Sequence, residues 1–233
     1  MTLSTSISTT DARASELSSV RPRRVARNDE RVSARWRLKR ATDAAHRRLD
    51  LGLSGFDLSD IDDYRRFLNV HAIALPSLES ALAANGFEEQ CPGWMEGRRS
   101  AALMRDLAGL GGTSCEPDAA RQVGGATAWG TAYVLEGSRL GAKLLARRVT
   151  AGGIPDALAN ARFLNHPASV AWPCFLNRME HALSAPGALR AATNGARMAF
   201  AAFNDALDRI GLSEEHRRSE AMVEGTLGSE HER

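Results

Sequence analysis

Three glycines stand in this sequence where a helix discourages them. The stretch from Thr127 to Leu145 is helical in character, yet it carries Gly130, Gly137 and Gly141. Each costs a helix about 1 kcal/mol relative to alanine. Repeated three times, that cost points to close packing of another helix, to a bulky group lying against the backbone, or to a bend. Far upstream, Leu38, Thr42, Ala45 and Leu49 recur at helical spacing and predict one buried stripe. His46 falls one turn after Thr42 and two turns after Lys39, at the edge of that stripe. A lone histidine on an apolar face is more often a satisfied core residue than a ligand. Together the two segments suggest more than either does alone. One helix offers an imidazole, the other a wall without side chains, and a flat cofactor lies between them.

The elements that must hold these groups read as helices almost throughout residues 31–212. Ser59 followed by Asp62 resembles a capping-box start, with aspartate replacing the usual Glu or Gln. The helix it opens buries Ile61, Tyr64, Phe67, Leu68, Ala72 and Leu75. Pro76 is expected to bend or break it, with Leu78 and Leu82 resuming the stripe as far as Gly86. A shorter helix fits Ser100 to Leu107, and the glycine-marked helix runs from about Ala126 to Val149. Beyond Gly152, Gly153 and Pro155 a short helix reaches Leu164. Ser169 is the expected cap of the next one, which tolerates Pro173 in its first turn. Pro186 and Gly187 precede a last, alanine-rich helix with Phe200, Phe203 and Leu207. With no alternating strand pair and no repeat, the fold class is all-α in a single domain.

Composition agrees. A chain of 233 residues, 43% hydrophobic and 25% charged, can bury one sizeable core. No run of 18 apolar residues predicts a membrane span, and the N-terminus has no apolar signal core, which predicts a cytoplasmic protein. Cys91, Cys115 and Cys174 are widely spaced and form no metal or redox motif. Residues 21–40 carry nine Lys and Arg against Asp29 and Glu30, after a Ser- and Thr-rich start. Residues 1–30 read as a disordered basic arm, a solvated tail by default, with an acidic redox partner or nucleic acid as alternatives and nucleic acid the less favoured. Residues 213–233 read as a charged, flexible tail holding at most one short helix.

Two motifs carry a family resemblance. Leu38-x-x-x-Thr42-x-x-x-His46 and Tyr133-Val134-Leu135-Glu136-Gly137-Ser138-x-Leu140-Gly141 resemble the proximal- and distal-helix patterns of the haem oxygenases, in particular the bacterial type associated with bacteriophytochromes. The resemblance runs from about Leu38 to about Leu207; its distal motif is fairly specific, its proximal one weak without it. It implies a haem-oxygenase-like fold with haem, both substrate and cofactor, held between a proximal and a kinked distal helix. The implied activity converts haem to biliverdin, ferrous iron and carbon monoxide with oxygen and external electrons. No flavin or nicotinamide motif is present, so the electron donor is a ferredoxin or reductase, and a bilin acceptor such as a bacteriophytochrome is an implied partner.

The resemblance also assigns roles. His46 is the implied ligand of haem iron, and Gly137 and Gly141 the positions at which backbone passes over the haem. Ser138 stands where some relatives carry an aspartate that organises water, and Arg139 either joins that site or turns to solvent or the propionate side. Lys39 matches a lysine that meets a propionate, and Arg178 is a second candidate. Thr42 and Tyr133, within the two motifs, are implied cofactor contacts. Ala142 departs from the family's Gly-Gly: beside the haem it is harmless, but over the iron it would narrow the oxygen site. His71 is a core or pocket-edge residue, and His166, His181, His216 and His231 are the remaining histidines. Packing is the expected role of Trp172, Phe175, Phe200 and Phe203. The competing reading is a protein of the same fold that holds or transfers haem or a bilin without turnover.

Overall fold

A computed structural model of the chain describes residues 33–112 and 123–228, with side chains as far as Gly211. The proposed basic arm and Cys115 lie outside those residues, as do the side chains of His216 and His231. Among the described residues there are eight α-helices and no strand: α1 (Ala34–Ser54), α2 (Ile61–Ala84), α3 (Phe87–Gln90), α4 (Ser100–Gly109), α5 (Ala126–Gly152), α6 (Pro155–Ala159), α7 (Trp172–Ala182) and α8 (Ala188–Gly228). The all-α class read from periodicity is the one observed. Where a charged tail was expected, the backbone of α8 continues without a break to Gly228.

α2 is the strut of the core. Tyr64, Phe67, Leu68, Leu75, Leu78 and Leu82 are each at most 1% exposed. Full burial of such side chains contributes about 1.5–3 kcal/mol apiece. By length and composition α2 is apolar enough to cross a membrane, but 67% of the relevant window is buried inside the domain, as for a core helix. One expectation about it fails, and of the bend or break expected at Pro76 the break does not occur. Its cap is Asp60, whose carboxylate accepts from the backbone N–H of Asp62 and Asp63, whereas Ser59 donates to Asp57. Nor does Pro76 break the helix, because α2 is packed by α8, α4 and α5 on several sides and neighbours hold it through the missing hydrogen bond.

Two further differences have local causes. α6 ends at Ala159 rather than reaching Leu164, since the N–H of Phe163 donates instead to the buried Asp106 carboxylate at 2.6 Å. Ser169 does not cap α7; that place is taken by Ala171 with no side-chain bond, and Pro173 in the first turn removes one donor that would need capping.

The long helix α8 organises the rest, packing along α5, α1 and α2. It crosses α5 where glycines face each other's backbones. A Cβ at Gly130 would lie 1.7 Å from the carbonyl oxygen of Ala192, and one at Gly195 would lie 2.1 Å from that of Thr127. The Thr131 hydroxyl ties the crossing by donating to the Gly195 carbonyl at 3.3 Å. Beyond it the same face of α5 is uncovered: Leu140 is 59% and Leu144 63% exposed. α1 also packs on α8, so α1 and α5 become two walls that share α8.

Candidate functional site

The uncovered half of α5 is defined by what its glycines lack. A Cβ at Gly141 would meet nothing within 4 Å, and one at Gly137 only the Trp172 ring at 3.9 Å. Neither glycine is needed for helix packing, so both leave bare backbone facing open space. At 3.6 residues per turn, Gly137 and Gly141 point within roughly 40° of each other, with Leu140 and Leu144 on one flank and Ser138 on the other. Ala142 lies roughly 100° further round than Gly141. It is 8% exposed and belongs to the hydrophobic core, so its methyl group points beside the open face rather than out of it.

α1, packed like α5 on α8, supplies a second wall. His46 sits on an exposed edge with its side chain 56% accessible, and its Nδ1 is 3.2 Å from the Asp50 carboxylate one turn on. The edge of the Phe200 ring from α8 meets the imidazole at 5.5 Å between centroids. A carboxylate on Nδ1 holds the proton there and leaves the other ring nitrogen's lone pair available to a metal. Asp50 was not singled out in the sequence, although the i, i+4 spacing from His46 is the signal that finds it. Thr42 is buried at 3% exposure, and its hydroxyl is spent inside α1 on the carbonyl of Leu38 at 2.8 Å. Lys39 is exposed on the His46 side of the helix and has no polar partner among the described residues.

The polar residues of the α5 motif turn away from the bare face and anchor it. Glu136 is buried, accepting from Trp94 Nε1 at 3.1 Å and pairing with Arg139 Nε at 2.8 Å. Arg139 also donates to the carbonyl of Gly97, so its guanidinium is held by protein rather than turned to solvent. Ser138 Oγ donates to the Leu135 carbonyl at 2.8 Å and accepts from Arg99 Nη2 at 2.8 Å. Arg99 is 3% exposed and lies over the Phe163 ring at 5.2 Å. Burial, followed by the nearby Arg139 charge, lowers its pKa to about 10. Its backbone N–H and that of Ser100 donate to Glu79, itself 2% exposed. Arg99, Glu79 and Trp94 were absent from the sequence reading, and Glu136 stood in it only as a letter of the α5 motif, with no role. An arginine between two helices has no periodicity that foretells its burial.

Two candidates remain. Tyr133 lies one turn before Gly137 on the same side of α5, its ring tilted against Trp172 at 6.0 Å between centroids, and burial raises the pKa of its phenol. Arg178 donates to the Pro92 carbonyl at 3.0 Å and contacts Cys91 Sγ, bracing the segment after α3. Behind α5, on the flank of Arg139 and Lys143, is a cavity of about 490 Å³, also lined by Arg99, Phe163, His166 and Trp172.

The arrangement fits a flat, metal-centred ring. One wall offers an imidazole tethered by a carboxylate, the other offers backbone where a Cβ would fill the space, with apolar Leu140 and Leu144 on one flank and Ser138 on the other. Comparison with known proteins agrees. Over 154 residues the chain is 32% identical to a heme oxygenase of Xanthomonas campestris pv. campestris (strain 8004), a match spanning 64% of this chain and 90% of that protein. Its fold resembles the NO- and CO-bound heme oxygenase from Neisseria meningitidis, with a TM-score of 0.66 at 24% identity over 77% of this chain and 92% of that one. That second likeness concerns the fold alone. No family model matches the chain. With the Xanthomonas relative covered almost from end to end, and with the cleft shaped as it is, the chain belongs to the heme oxygenase family.

Proposed function

We propose that the chain degrades haem to biliverdin, releasing ferrous iron and carbon monoxide, with His46 as the residue that would hold haem iron and the Gly137–Gly141 face of α5 as the other wall of its cleft. The observation that carries this is the pairing of a carboxylate-tethered imidazole on α1 with two glycines on α5 that no protein packing requires. Bound haem supplies the iron at which oxygen is activated. The chain's own residues do the rest. Asp50 fixes the His46 tautomer and ring orientation, and the Phe200 edge limits the ring's swing. Gly137 and Gly141, lacking side chains, would let a bound ring approach the α5 backbone where any Cβ would hold it off.

Ser138 closes one flank with its hydroxyl held by Arg99, which keeps a polar, proton-capable edge on an otherwise apolar cleft. Lys39 is placed to meet a propionate at the mouth. Ala142 faces the core and leaves the oxygen site unnarrowed. Electrons come from a separate reductase or ferredoxin, and the bilin product is supplied to a photoreceptor of the bacteriophytochrome type. The supporting observations are the match to a heme oxygenase and the two motifs; a carrier that binds haem without turnover is the rival. Titration with haemin followed by reduction in air with catalase present separates them. Conversion of the haem band to a bilin band is expected, and an intact haem band under electrons and oxygen sinks the enzymatic reading. In His46→Ala, the same experiment should show weak binding and no bilin; full turnover would remove His46 from the iron.

A further inference from the structure

A second opening lies behind α5, away from the cleft. Its volume of about 490 Å³ falls in the range of roughly 300–1,000 Å³ that small-molecule pockets occupy. At 3.6 residues per turn, Arg139 and Lys143 project roughly opposite the Gly137–Gly141 face. α5 therefore stands between this cavity and the open space in front of its glycines. Arg99, Arg139 and Lys143 line the cavity against a single carboxylate, Glu136, and the buried Phe163, Leu164 and Val170 supply apolar walls.

That glutamate is already engaged. It accepts from Trp94 Nε1 and pairs with Arg139, whose guanidinium also donates to the Gly97 carbonyl. Glu79 is taken by the backbone N–H groups of Arg99 and Ser100 and by the Ser100 hydroxyl. Among the described residues the Arg99 guanidinium bonds only to the Leu135 carbonyl at 3.0 Å and the Ser138 hydroxyl at 2.8 Å, both through Nη2. The N–H groups of Nε and Nη1 are left without a protein acceptor, although the residue is only 3% exposed. A buried cation that meets only neutral groups is costly, and the Phe163 ring at 5.2 Å offsets part of that cost. Lys143, exposed at the rim, also has no polar partner among the described residues.

We propose that the cavity behind α5 is a binding site for a small organic carboxylate. The carboxylate head accepts from the unpaired N–H groups of Arg99, the apolar body lies along Phe163, Leu164 and Val170, and Lys143 adds charge at the mouth. Charge-assisted bonds to a guanidinium are the strong kind, and inside a cavity little water competes for them. The apolar walls favour such a ligand over a bare inorganic anion, which would leave them facing water. The site goes beyond haem degradation and does not depend on it, so failure of haem turnover leaves it standing.

The test is a ¹⁹F NMR titration of the full chain with 4-fluorobenzoate at pH 7. Saturable binding is expected, with the neutral 4-fluorobenzamide about tenfold weaker or worse, and with inorganic phosphate at equal concentration unable to displace the acid. Added haemin should leave the affinity unchanged, because α5 stands between the two openings. Arg99→Lys, which keeps the charge but loses the guanidinium, should bind about tenfold more weakly, and Lys143→Gln about threefold, as for a screened surface charge. Ala168→Trp, at an exposed position bordering the cavity, should fill it and abolish binding. Absence of saturable binding means that only water occupies the cavity and overturns the proposal. So does equal binding of the amide, displacement by haemin or by phosphate, or wild-type affinity in Arg99→Lys or Lys143→Gln. If Arg99→Lys does not fold, unchanged affinity in Ala168→Trp overturns it instead.

Discussion

The two halves of α5 use the same residue for opposite ends. In the first half, Gly130 exists because α8 lies against it: a methyl group there would overlap the Ala192 carbonyl. In the second half, Gly137 and Gly141 exist although no backbone lies against them: a Cβ at Gly141 would meet nothing within 4 Å, and one at Gly137 only the Trp172 ring at 3.9 Å, an ordinary contact. One glycine is required by the fold; the other two weaken the helix for no packing gain. A helix-breaking residue whose neighbour is present marks stability, and one whose neighbour is missing marks a ligand. Polar groups divide the same way. Thr131 ties the crossing, whereas Glu136, Ser138 and Arg139 tie the open half back to Trp94, Gly97 and Arg99, so that the bare face stays rigid without α8 to support it.

The largest expected effect tests the first half. Gly130→Ala must push two backbones apart and should cost about 3 kcal/mol or more, the upper end for overpacking. Chemical denaturation reads this directly, and a loss below about 1 kcal/mol would mean the crossing is slack. Next comes acid. The folded pKa of His71 lies below its ordinary value of 6.5, at about 4. The unfolded chain therefore binds the proton first, and the contribution of neutral His71, whole above pH 6.5, is lost as pH falls toward 4. The loss approaches about 3 kcal/mol, and His71→Gln should remove that part of the pH dependence.

Ala142→Gly follows, with a cost of about 1 kcal/mol from helix propensity and no change in bilin isomer, because that methyl group faces the core. A new isomer would put position 142 over the ring instead. The smallest stability change sharpens the comparison most. Gly137→Ala and Gly141→Ala should each stabilise the haem-free protein by about 0.5–1 kcal/mol while impairing turnover. Destabilisation there would erase the distinction between the two halves.

Much of the helical order was legible because long amphipathic stripes such as that of α2 declare themselves by period. What misled was punctuation: Ser59, Pro76 and Ser169 all carry strong local signals, and each was outweighed by a competing carboxylate, by burial or by a neighbouring proline. In the site, His46, Gly137 and Gly141 could be read from type and spacing. Thr42 shared the His46 pattern and Arg178 came only from the resemblance, and the polar atoms of both are engaged within the protein, on Leu38 and Pro92. Arg99 and Glu79 could not be read at all, since each is defined by partners distant in sequence.

By itself, then, the sequence determined that the protein is helical, that one helix carries a histidine beside an apolar stripe, and that another tolerates three glycines at a cost. Those are local facts, fixed by propensity and by the 3.6-residue repeat. Only tertiary structure decided which glycine meets α8 and which two face open space, that Ala142 turns to the core, and that Asp50 and Arg99 hold the groups beside the cleft. Each of those depends on where a second element lies, and one helix's sequence carries no record of the direction from which another approaches.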